Sequence, residues 1–280
     1  MYESGEYGAA AGWFDKALAI APDDVVALRF RGACCMEQDD YPAALTYLDQ
    51  ALALDGGNTN TLSWKGWALL MSGSADEAIA YLRQALAAVP ENYDALGALA
   101  YALLDRDDCE GALACCQKAL EINPRDVDSM YALAEIMARK GALREAFEWL
   151  GKVLEQKPHE AYPFFGLAGS LKRKGMMDGA IAFCTDTAAA APEDAFWKFV
   201  LGCFHCVNGA WDTGLAHVMA ARESAPERIL FRMGLGNALR HKGDYAGAIG
   251  WFDSILEPMP ENGSAFEERN ACRAALLSEK

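Results

Sequence analysis

Apolar residues recur three or four positions apart in two stretches of every 34 residues, the spacing of one buried helix face. Numbered from Val25, the period predicts a first helix over positions 1–14 and a second over positions 18–31. Between them, position 15 is Gly73, Gly141, Gly175, Gly209 or Gly243, or else Asp39 or Asp107, residues suited to a left-handed turn after a helix. Position 32 is proline in every complete unit but 25–58, where it is Gly56; the proline closes the second helix and fixes the link to the next first helix. Pro22, Pro90, Pro124, Pro158, Pro192, Pro226 and Pro260 put seven of the ten prolines in this one register. Position 8 is always small (Gly32, Gly66, Ala100, Ala134, Ala168, Gly202, Gly236), and so is position 20 (Ala44 through Ala248, with Gly214 the one glycine). Small residues at both places let paired helices approach closely, since overpacking costs about 1–3 kcal/mol.

Seven complete units follow without insertion or deletion: 25–58, 59–92, 93–126, 127–160, 161–194, 195–228 and 229–262. Residues 1–24 supply the second half of an earlier unit, and residues 263–280 the first half of a later one, expected to cap the array. A period of this length means a helical array. Three local irregularities are expected. Lys198 and Arg232 replace the apolar residue of position 4, with Trp197 and Phe231 one place earlier, so those helices enter slightly rotated. Pro258 shortens the last second helix, whereas Pro163 falls in a first turn, where it is tolerated. Residues 6–20 form a second helix without its partner, leaving Trp13 and Phe14 partly uncovered. This points to a fragment, or to self-association or partner docking through that unpaired N-terminal helix.

The pattern resembles the tetratricopeptide repeat. In the unit 93–126 the family's W-x-x-L-G-x-x-Y, A, F, A and P positions are occupied by Leu96, Leu99, Ala100, Leu103, Ala112, Cys116, Ala119 and Pro124. The unit 229–262 adds Leu235, Gly236, Tyr245, Ala248, Phe252 and Pro260. The resemblance covers the whole chain. It implies an all-α fold, a right-handed α-solenoid (superhelix) of antiparallel helix pairs with a concave groove lined by first helices. It also implies a non-catalytic protein-binding scaffold.

By that geometry the groove receives Trp67 and Tyr101 at position 9, and Tyr131, Phe165, Phe199 and Met233 at position 5, an apolar ladder for a peptide or helix of a partner. Its charge is split. Glu37, Asp94, Asp105, Asp128 and Glu135 stand against Arg29 and Arg139 in the early units; Lys172, Arg173 and Arg240 stand in the late ones without an acid. Lys140, Lys174 and Lys242 extend a basic lip. A partner would then present basic groups to the early units and acidic groups to the late ones. The plainer reading of those cations is solvated helix C-termini. The clamp for acidic chaperone tails, with Lys and Asn at positions 5 and 9, is not formed, since these read Arg29/Ala33, Tyr131/Glu135 and Met233/Asn237.

Composition narrows the partners. The 280 residues carry 25 Lys plus Arg against 40 Asp plus Glu, a net charge of −15. This argues against a nucleic-acid backbone or an anionic membrane as partner. No uncharged apolar run is long enough for a membrane span, and residues 1–10 lack the basic start of a signal peptide. Nine cysteines at irregular spacing suggest reduced thiols and a cytoplasmic protein. Cys203 and Cys206, i and i+3 on one helix with His205 between them and His241 on the same wall, raise the alternative of a metal- or redox-responsive adaptor. A zinc site would need more ligands, and small apolar packing is the plainer reading. Four scattered histidines and the absence of a phosphate loop or nucleophile motif indicate no enzyme, no cofactor and no bound metal. A second alternative is a substrate-targeting repeat region of a larger enzyme or signalling protein.

Overall fold

The computed structural model describes residues 7–278, and among them sixteen α-helices and no strand. The chain divides into two compact units, Met1–Ile136 and Met137–Lys280. The first holds α1 (Tyr7–Ile20), α2 (Val25–Met36), α3 (Tyr41–Leu54), α4 (Thr59–Met71), α5 (Ala75–Ala88), α6 (Tyr93–Asp105), α7 (Cys109–Ile122) and most of α8 (Val127–Arg139). The second holds α9 (Leu143–Gln156), α10 (Tyr162–Arg173), α11 (Met177–Ala190), α12 (Ala195–Asn208), α13 (Trp211–Ser224), α14 (Ile229–Lys242), α15 (Tyr245–Leu256) and α16 (Gly263–Ser278). In the first unit successive helices from α1 to α7 pack on one another, and in the second those from α10 to α16 do so. In the first unit α2 also touches α4, and α4 touches α6; in the second α10, α12, α14 and α16 touch in series. First helices thus lie side by side, backed by second helices. The reading of residues 1–6 lies outside the described residues.

The turns obey local chemistry. All seven residues at position 15 have positive φ, from 57° at Asp39 to 96° at Gly209. The oxygens of Asp24, Asp40, Asn58, Asn92, Asp108, Asp194 and Asp244 accept backbone N–H groups of the first turn that follows each. Asp107 and Asp108 divide these two tasks in one turn. At Gly73, φ is +82° and nothing lies within 4 Å of where a Cβ would stand. Gly73→Ala therefore costs backbone strain alone, about 1–2 kcal/mol. A thermal melt should show a lowered midpoint with unchanged helical content.

The core sits between the helices of each pair. Leu48, Leu82, Cys116, Leu150, Cys184, Val218 and Phe252, all at position 24, are fully buried. Their sizes complement position 8. Glycine at 32, 66, 202 and 236 coincides with Leu48, Leu82, Val218 and Phe252; a Cβ added at the last three would collide with those side chains, and at Gly32 it would press on Leu48. Alanine at 100 and 168 coincides with the smaller Cys116 and Cys184, so these cysteines are packing residues; Ala134 with Leu150 departs from the rule.

Position 7 is leucine in the middle of the chain and a cation near its ends. Arg31 meets Asp15 at 2.7 Å, Lys65 meets Asp49 at 2.5 Å and Arg269 meets Asp253 at 3.1 Å, each carboxylate at position 25 of the preceding helix pair. The carboxylates are about half exposed, so such pairs contribute little to stability individually.

The irregular units behave as their sequences imply. At the start of α14 the buried side chains are Leu230, Phe231 and Met233, while Arg232 is half-buried and donates to the Ser254 carbonyl at 2.9 Å. α15 has 12 residues and ends two before Pro258, against 14 in α13. In α16, Glu268 pairs with Arg240 at 2.9 Å and Arg269 with Asp253, while Glu267 and Arg273 stay exposed beside Phe266 and Leu277.

Candidate functional site

The aromatic ladder divides between the two units. In the first unit α4, α6 and α8 bring Trp67, Tyr101 and Tyr131 together as half-buried rings, with centroids 5.7 Å and then 6.1 Å apart. Tyr101 donates its hydroxyl to the Asp128 carbonyl at 3.1 Å, fixing the central ring. Loss of surrounding water raises the Tyr101 pKa well above that of an ordinary phenol, so the hydroxyl stays a donor. Carboxylates flank the rings. Asp94 is pushed up by loss of water and by neighbouring Asp126, and Glu135 is buried.

In the second unit the same register gives a different result. Phe199 and Met233 are at most 1% exposed. Phe199 lies 5.2 Å from Phe164 and 5.3 Å from Phe231, and its edge occupies the space where a side chain on Gly234 would stand. These two residues belong to the core and present nothing to a partner. Gly234 stands one first helix on, at position 6, and leaves the room that the ring fills.

Phe165 is also largely buried, but one face lines an open cavity of about 340 Å³ and stacks on the His241 imidazole at 5.6 Å. Arg173 lines the same cavity. Lys172, at its side, donates to the Val207 carbonyl at 2.7 Å. Arg139 donates to Ser170 at 3.2 Å, and Arg240 is engaged by Glu268, an acid the groove reading did not assign to the late units.

The cysteines do not form a reactive site. All nine are free thiols. Burial pushes Cys206 up to about 12 and Cys203 well above the ordinary thiol range, so both remain neutral. His241 is committed to Phe165, and His205 stacks on His217 at 5.6 Å. Among the described residues no group of three or more His, Cys, Asp or Glu is arranged to hold a metal ion, and no helix is long and apolar enough to cross a membrane.

Two family models match, both described as tetratricopeptide repeat. One covers residues 69–135 and 103–162, the other residues 35–93 and 207–263, together more than half of the chain. The chain belongs to the tetratricopeptide repeat family. Two solved structures agree on the fold. A chain of the APC/C hetero-tetramer Cut9–Hcn1 matches 85% of this chain over 47% of its own length, at 16% identity and a TM-score of 0.57. The tetratricopeptide repeat protein TTC0263 of Thermus thermophilus matches 77% of this chain and 98% of its own, at 18% identity and a TM-score of 0.51. MamA matches 55% of this chain and 90% of its own, at 23% identity and a TM-score of 0.46. No curated protein matches the chain. Both matching family models are repeat models, and neither describes an enzyme.

Proposed function

We propose that this tetratricopeptide repeat chain is a non-catalytic scaffold that holds an extended or helical segment of a partner protein along its first helices. The observation that carries this reading is the run Trp67, Tyr101, Tyr131. Three consecutive first helices contribute one ring each, every ring touches the next, and each keeps part of its surface open. Aromatic rings held rigidly at a surface are the usual anchors of interfaces. The surrounding carboxylates favour a segment with basic residues beside its apolar ones. The units from 25–58 to 229–262 supply the repeating register, and unpaired thiols suit a cytoplasmic setting.

A second contact is proposed at α1, whose outer side carries Trp13 at 55% exposure and Ile20 at 88%. Phe14, by contrast, is stacked on Phe30 at 5.7 Å and half-buried. Two copies meeting through α1 would cover Trp13.

Affinity purification from the native host tests the reading. Partners enriched by the wild type should fall at least fivefold with Trp67→Ala/Tyr131→Ala and persist with Trp13→Ala. Equal recovery by wild type and the double variant, with folding verified by circular dichroism, refutes the ring surface. Loss with Trp13→Ala alone moves the binding to α1.

A further inference from the structure

The cavity on the second unit has its own chemistry. Its wall on α10 runs from Tyr162 at the first residue to Arg173 at the last, about 16 Å along the helix. Trp211 and His241 close it from α13 and α14. The floor includes Gly169, where an added Cβ would meet only an Arg173 nitrogen at 3.8 Å, so the missing side chain there leaves open space. At about 340 Å³ the cavity is at the small end of ligand sites. It admits one aromatic side chain with its flanking backbone, and is too small for a whole helix. Tyr162 is 58% exposed and Trp211 half-buried, so both rings have surface at the cavity's opening.

The rim has one sign. Arg173 is exposed and makes no ion pair among the described residues. Lys172 is adjacent, with an exposed ammonium whose one hydrogen-bond acceptor among the described residues is the Val207 carbonyl. The nearest carboxylate in sequence to the wall, Asp212 beside Trp211, is 3.5 Å from Lys242 and so balanced already. His241 is held below the usual histidine pKa by partial loss of water and by Arg240, and at neutral pH it offers a flat uncharged ring. In a chain of net charge −15, this is a local cationic surface wrapped round an aromatic slot.

We infer that the cavity formed by Tyr162, Phe165, Gly169, Arg173, Trp211 and His241 receives an aromatic side chain of an acidic peptide segment, with Arg173 engaging the carboxylate next to it. The inference rests on the scaffold reading and narrows it: this end of the chain selects acidic-aromatic segments, opposite in charge preference to the ring surface of the first unit. A small aromatic acid would fill the slot and meet Arg173, but would leave Lys172 outside the cavity unengaged. On α10 the cavity uses positions 2, 5, 9 and 13 of the repeat 161–194, the helix face from which Trp67, Tyr101 and Tyr131 project in the first unit.

Fluorescence anisotropy with a labelled Glu-Glu-Trp-Glu-Glu peptide provides the test, using the full chain. The wild type should bind it at least tenfold more tightly than peptides with Ala for Trp or Lys for Glu. Gly169→Leu, which fills the slot without displacing backbone, should weaken binding at least tenfold, and Arg173→Gln about fivefold. Trp67→Ala/Tyr131→Ala should leave the affinity unchanged. Equal affinity for the three peptides, or unaltered binding by both Gly169→Leu and Arg173→Gln, overturns the inference while leaving the scaffold reading intact. Binding of free indole-acetate as tight as the peptide overturns the choice of a peptide occupant. Lost partner recovery with the ring variants is a separate result and bears only on the first unit.

Discussion

Phe199→Ala lowers the stability of the second unit by about 3–5 kcal/mol, the usual cost of emptying a fully buried phenylalanine site. The ring is 0% exposed and wedged between Phe164 and Phe231, with Gly234 giving it room. No nearby side chain can collapse into the space without pulling α12 from α10 and α14. Urea denaturation followed by far-ultraviolet circular dichroism measures the effect. The steep loss should be absent from Trp67→Ala, whose ring is only half-buried. A cost below about 1 kcal/mol for Phe199→Ala would mean that the ring faces solvent, as its position in the repeat alone suggests.

Gly214→Ala is the second large effect, about 1–3 kcal/mol of destabilisation from a single methyl. Six of the seven units carry alanine at this position. Here α12 and α13 lie so close that the new Cβ would stand 2.7 Å from both the Cys206 nitrogen and the Gly202 oxygen and would strike the Cys206 sulfur. Two of these are backbone atoms, so relief requires the helices to part. Gly250→Ala is the control, because nothing lies within 4 Å of its Cβ position in α15. It should gain about 0.5–1 kcal/mol from helix propensity. Equal shifts for the two variants would show that the α12–α13 approach is not tight.

What the sequence made legible was whatever depends on a few neighbouring residues. Position 15 needs a left-handed backbone whatever the rest of the chain does, and Asp39 and Asp107 adopt it as the glycines do. Asp108 caps its helix because its side chain reaches the backbone N–H of Gly111 at 2.9 Å. The depth of position 5 is not local. It depends on how far one first helix rolls against the next, and the same spacing leaves Tyr131 half-open while it buries Phe199. The cavity beside Phe165 is hidden for the same reason, since His241 lies two helix pairs along the chain from its partner ring. The ion pairs of α16 are hidden likewise, since Glu268 and Arg269 meet Arg240 and Asp253 on the preceding helix pair.

The central claim is that the first helices carry the binding surface and the second helices back it. Photo-crosslinking in the native host measures this directly, with a benzophenone amino acid placed at Trp67 on α4 or at the exposed Ala114 on α7. Partner adducts should form from position 67 and not from position 114. Adducts from position 114 alone, or equally from both, would contradict the account.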